Sequence, residues 1–151
     1  SIALLLGPLQ FIARRRAGRA VWHRTIGVAY LTCCLVSAPA GLILALGTTA
    51  GPIATVGFRL LAVIWFYVNA QGLRAVVDRR FADHGEWMIR SFALTFAAVT
   101  LRLYLPVGDM LGWEFMDTYR LTSFISWIPN LMLAELWIVA RRRRVTSTAP
   151  A

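Results

Sequence analysis

The side chains best suited to chemistry gather in seven residues, His84-Gly85-Glu86-Trp87-Met88-Ile89-Arg90. They sit where a charged stretch, Asp78 to Glu86, runs into a long apolar one, Trp87 to Leu105. An imidazole can ligate a metal or move a proton near neutral pH. A guanidinium inside an apolar run calls for an anion or a wet cavity. Elsewhere the chain repeats these ingredients sparingly. His23 is the only other histidine and is followed by Arg24, and Glu135 is the main carboxylate inside an apolar run.

What must position them is a set of apolar runs too long and too continuous for barrel strands, which alternate in polarity over about ten residues. They predict an all-α integral membrane bundle, with four full transmembrane helices plus a truncated first one. The spans fall at about 2–13 (partial), 24–46, 53–77, 87–105 and 119–140. Run 2–13 is short for a full crossing of roughly twenty residues, so it reads as the inner half of a helix whose beginning is missing. Residues 1–144 then form one transmembrane domain, and 145–151 a disordered cytoplasmic tail. Pro129 is expected to interrupt the last span, and the small centre Ser37-Ala38-Pro39-Ala40-Gly41 to allow close packing and a kink in the second.

Composition agrees. Hydrophobic residues make up 58% of the 151 and charged ones 15%, well below the quarter usual for soluble domains. The net charge of +9 invites a nucleic-acid reading, but the arginines cap apolar runs instead of striping one face, so the partner is the lipid bilayer and not nucleic acid. Cys33 and Cys34 are adjacent on a helix and diverge by about 100°, too far to pair with each other. There is no metal-ligand spacing of Cys and His and no phosphate-binding Gly-rich loop, so no metal site is expected.

The arginines also set sidedness. Loops 14–24 and 78–90 and the tail 141–144 are basic, loop 47–52 is uncharged and loop 106–118 is acidic. The positive-inside rule then predicts a multi-pass protein of the bacterial cytoplasmic (inner) membrane, with the basic loops and the C-terminus cytoplasmic. His23, Arg24, His84, Arg90 and Glu135 share that leaflet, with Gln10 and Asn130 in support. Glu135 should pair with Arg90 or Arg24. On the outer side Arg59, Arg102 and Arg120 can meet Asp109, Glu114 and Asp117. Trp22, Trp87, Trp113 and Trp137 suit interfacial anchoring, and Trp65 and Trp127 suit packing.

The order Gly7-Pro8-Leu9-Gln10-Phe11, His23-Arg24-x-x-Gly27-x-x-Tyr30, His84-x-x-Trp87-Met88-x-Arg90, Leu101-Arg102 and Trp127-x-x-Asn130 with Glu135 resembles the bacterial predicted membrane proteins grouped as domain of unknown function 2306 (DUF2306). The resemblance covers nearly the whole chain. It implies an integral multi-helix membrane protein and assigns no activity.

The residues suit four roles. In a b-type haem electron carrier, His23 and His84 are axial ligands to haem b while Arg24 and Arg90 counter the propionates. In a small permease, Gln10, Asn69, Arg90, Asn130 and Glu135 line a cavity open to the cytoplasm. In an interfacial enzyme acting on lipid or quinone, His84 is a general base oriented by Glu135. In an accessory subunit of a membrane assembly, with membrane-protein partners or self-association, the same charges lock helices together. The haem carrier is the leading specific reading, with the subunit and the permease as alternatives.

Overall fold

The computed structural model describes residue 4 and residues 20–47 and 51–147. Within them the chain forms α1 (Ala20–Leu46), α2 (Pro52–Val77), α3 (Phe81–Met110), α4 (Phe115–Ile125) and α5 (Ile128–Ser147). No strand occurs among the described residues. Four stretches are long and apolar enough to cross a membrane, the last being α4 and α5 together. The partial span 2–13, Gln10 and loop 14–19 lie outside the described residues, apart from Leu4, which is helical.

Successive crossings run antiparallel, so α1 and α3 start at one end, which holds His23, Arg24, Arg80, His84 and Arg141–Arg144. This basic end faces an acidic one, with Asp109, Glu114 and Asp117. Helix α2 is central and packs against α1, α3 and α4, while α5 packs on α3. No Cα of α1 lies within 8 Å of one in α3, so a gap runs between them over α2.

Small residues set the closest approaches. A Cβ on Gly57 of α2 would collide with the Ser123 side chain, and one on Gly108 of α3 with that of Thr118, each at under 3.0 Å. Both neighbours lie on α4, whose Thr118, Thr122 and Ser123 are buried. Lipid supplies no hydrophobic drive between helices, so such close backbone packing, with dispersion at short range, holds them. Deeper, Val68, Leu94, Ala97 and Trp127 form an apolar cluster joining α2, α3 and the α4–α5 junction. Cys34 is fully buried beside Tyr30 and Leu31 as packing, and both cysteines are free thiols.

Two expectations change in detail, and the expected break near Pro129 is found. The charged loop 78–86 shrinks to Asp78, Arg79 and Arg80, and His84 and Glu86 belong to α3. Asp83 in the first turn suits the positive helix terminus, which outweighs the breaking tendency of Gly85. Arg79 takes φ 58° there, a left-handed helix end usually given to glycine. Arg80 bonds Asp78 at 3.1 Å and Asp83 at 2.9 Å, and those carboxylates, Asp78 first, raise its pKa above the ordinary value. The last span is two helices: the chain unwinds at Ser126 and Trp127, just before Pro129, which has no N–H to continue the ladder. The expected tail 145–151 starts as helix, since α5 continues to Ser147.

The close approaches differ in cost. Gly57→Ala meets the side chain and backbone of Ser123, whereas Gly72→Ala meets the far methyl of Met88, which can swing away. Gly57→Ala should destabilise by about 1–3 kcal/mol and Gly72→Ala by clearly less, read as thermal unfolding in detergent. Ser123→Gly should recover part of the Gly57→Ala loss.

Candidate functional site

Two polar groups lie at different depths in the gap-facing part of the bundle. The deeper one joins three helices. Tyr30 Oη lies 2.9 Å from Ser91 Oγ and 3.1 Å from Thr95 Oγ1. Ser91 donates to Asn69 Oδ1 at 2.8 Å, and Asn69 donates to the Trp65 carbonyl at 2.8 Å. Trp65 Nε1 donates to Thr95 Oγ1 at 3.1 Å, and Thr95 donates to the Ser91 carbonyl at 2.8 Å. Asn69 and Ser91 are wholly buried.

The protons can be counted. The Ser91 and Thr95 hydroxyl hydrogens are both committed elsewhere, so the hydrogen between them and Tyr30 is the phenol's own. One proton serves two acceptors, while Ser91, Thr95, Asn69 and the Trp65 indole each donate one bond within the web. In hydrocarbon an unmet polar group costs several kcal/mol, so this web fixes how α1, α2 and α3 meet. Sequence reasoning noted Asn69 and Tyr30 but missed Ser91 and Thr95. Their signal was the spacing i, i+4, i+7, i+11 in His84, Met88, Ser91, Thr95, a single stripe along a helix.

The same spacing recurs in α1 as His23, Gly27, Tyr30, Cys34. Helices α1 and α3 run parallel, and Tyr30 meets Ser91. Each histidine therefore stands seven residues nearer the basic end than a partner in that bond. Seven residues are two turns, about 10 Å of rise and within about 20° of the same azimuth. His23 and His84 thus occupy one layer, on the α1 and α3 faces that Tyr30 and Ser91 use. Both are half-buried. His84 Nδ1 lies 2.8 Å from the Gly72 carbonyl, which only accepts, so Nδ1 carries the proton in that bond. Met88, one turn from His84, packs against Tyr30, Leu31 and Cys34.

The charged group sits at the same end but on the α3–α5 side. Arg90 Nε donates to Glu135 Oε1 at 2.5 Å and its Nη2 to Oε2 at 2.9 Å. The guanidinium also lies 4.7 Å over the Trp87 ring, which meets Tyr67 edge-on at 6.0 Å. Glu86 is 3.9 Å from Arg90 and accepts from Arg142 Nε at 2.7 Å. Trp87 is thus a stacking partner for Arg90 more than a bare interfacial anchor.

Several expected neighbours stand apart. Arg24 is exposed on α1, which does not reach α5, so Glu135 pairs with Arg90 and not with Arg24. Asn130 does not join Glu135: it donates to Thr100 Oγ1 at 3.0 Å and to the Ser126 carbonyl at 2.8 Å, securing the unwound junction. Thr100 donates to that carbonyl too, at 2.7 Å. Of the expected outer ion pairs, only Arg120–Asp117 forms among the described residues, at 3.0 Å. Arg102 instead folds back onto the Ala98 carbonyl at 2.8 Å. No cluster of three or more His, Cys, Asp or Glu suited to a metal ion occurs among the described residues.

Removing single members should separate web from lock. Asn69→Leu leaves the Ser91 hydroxyl without its acceptor and should cost about 1–3 kcal/mol, more than Tyr30→Phe at about 1 kcal/mol. A double-mutant cycle on Arg90→Ala and Glu135→Gln should return about 1–3 kcal/mol of coupling, measured by unfolding in detergent. Additive effects would show that the pair does not act as a unit.

Among known proteins, residues 1–138 fit the profile of the family described as predicted membrane protein (DUF2306). No curated protein and no solved structure matches the chain.

Proposed function

The chain belongs to the DUF2306 family of predicted membrane proteins, and we propose that it holds one b-type haem between His23 and His84, at the cytoplasmic side of the bacterial inner membrane. The observation that carries this reading is the bond from His84 Nδ1 to the Gly72 carbonyl at 2.8 Å. Histidines that ligate metals usually give their other ring N–H to such an oxygen, which fixes the tautomer and the ring plane. Nε2 then carries the lone pair, on the opposite side of the ring.

The second support is the shared layer. The two imidazoles come from helices whose backbones stay apart, with Tyr30 and Met88 above them as wall. Two histidines from separate helices are a usual axial set for a membrane haem. Arg24 supplies cationic charge beside His23 for propionates. Arg90 is engaged by Glu135, so its part is to hold α3 against α5 and keep the His84 end of α3 in place. When bound, haem would supply one-electron transfer. The protein's part is to fix two imidazoles and exclude water.

Orientation belongs to the same proposal. The arginines of 14–24, 78–90 and 141–144 would face the cytoplasm, as the positive-inside rule requires.

Protein purified from haem-replete cells should show a Soret band with a low-spin, two-imidazole signature. His84→Ala and His23→Ala should each abolish that signature in protein that still purifies folded, with the unfolding temperature falling by the stabilisation that bound haem supplies. A colourless preparation would sink the haem reading.

A further inference from the structure

A second site lies farther along the α1–α3 gap, on the acidic side of the Tyr30 web. It is a groove of about 920 Å³ floored by α2. Its walls are largely apolar, with Val36, Leu44, Phe58, Leu61, Leu101 and Leu105 among them. Pockets of this volume suit drug-sized or cofactor-sized molecules.

One residue in its lining, Ser126, is buried without a partner, and a second, the exposed Arg102, is held only by a backbone oxygen among the described residues. Ser126 is 1% exposed, and its Oγ has no hydrogen-bond partner. Its carbonyl is already used by Thr100 and Asn130, so only the hydroxyl is left over. Arg102 also lines the groove. Its Nη1 is held by the Ala98 carbonyl, and no carboxylate lies within 4.0 Å of it among the described residues. A lone arginine on a span normally extends toward the interface. This one folds back a turn, toward the middle of α3.

We propose that this groove binds a membrane quinone, an uncharged carbonyl-bearing ring on an isoprenoid chain, with Ser126 and Arg102 donating to its carbonyl oxygens. Arg102 can only donate and the Ser126 hydroxyl can donate, so a ligand carrying two acceptors satisfies both. Ala98 is the eighteenth of thirty residues in α3, counting from Phe81 (98 − 81 + 1), so the donors sit well inside the hydrocarbon. A phosphate or carboxylate headgroup would have to leave the interface to reach them, at a cost that a neutral ring avoids. Phe58 and Trp65 line the same groove and offer aromatic faces to a flat ring. The site stands apart from the histidine layer and does not rest on the haem reading.

The test uses the full chain in lipid nanodiscs and decylubiquinone as probe, with palmitate as the carboxylate-bearing competitor. Decylubiquinone should be retained saturably at one per chain and should raise the unfolding temperature. Ser126→Ala and Arg102→Gln should each weaken binding about tenfold, as expected for one lost hydrogen bond. His84→Ala should bind like the parent, so loss of haem and loss of quinone binding are told apart. Ser126→Ala removes only an oxygen, so it decides the matter if Arg102→Gln fails to fold. Absence of saturable retention, displacement by palmitate, or parental binding in Ser126→Ala would overturn the proposal.

Discussion

The constraint that governs this molecule is that hydrocarbon offers no water to a stranded donor. Five side chains from α1, α2 and α3 therefore close on one another around Ser91 and Asn69. That closure sets the register of α1 against α3 even though their backbones stay more than 8 Å apart. The groove toward the acidic end follows from it, because it lies between the two helices that Tyr30 bridges. A hydrophobic contact could slide by a turn at little cost, whereas a web of directed hydrogen bonds between buried groups cannot.

Charge is handled differently at the two ends. At the basic end Arg90 is ringed by Glu135, Glu86 and the Trp87 face, and holds α3 to α5. On the acidic side Arg102 meets only a backbone oxygen. The first arrangement is complete within the protein and suits a structural lock. The second leaves most of the guanidinium donors without a protein acceptor among the described residues.

Hydropathy made much of the architecture legible. Long uncharged runs gave the helices, and the arginines showed which ends lie together. Arg90 and Glu135 were readable as partners from depth alone, since each needed an opposite charge in the same layer. The web was harder to see. Ser91 and Thr95 are small and common in apolar runs, and only the stripe they share with His84 marks them. Boundaries at the 78–86 stretch went astray because charge and Gly85 suggest a loop, while Asp83 at a helix start favours helix. Asn130 reads from the sequence as a supporting member of the polar group around Glu135. The unwinding at Ser126 turns it instead toward Thr100.

The turn between α2 and α3 bears on how the protein is made. Asp78, Arg79 and Arg80 are the only residues between the two helices, so α2 and α3 form a tight hairpin. Asn69 and Ser91 lie on the two arms of that hairpin, so closing it joins them. Two polar groups that would each resist entry into the bilayer alone can then enter as a satisfied couple.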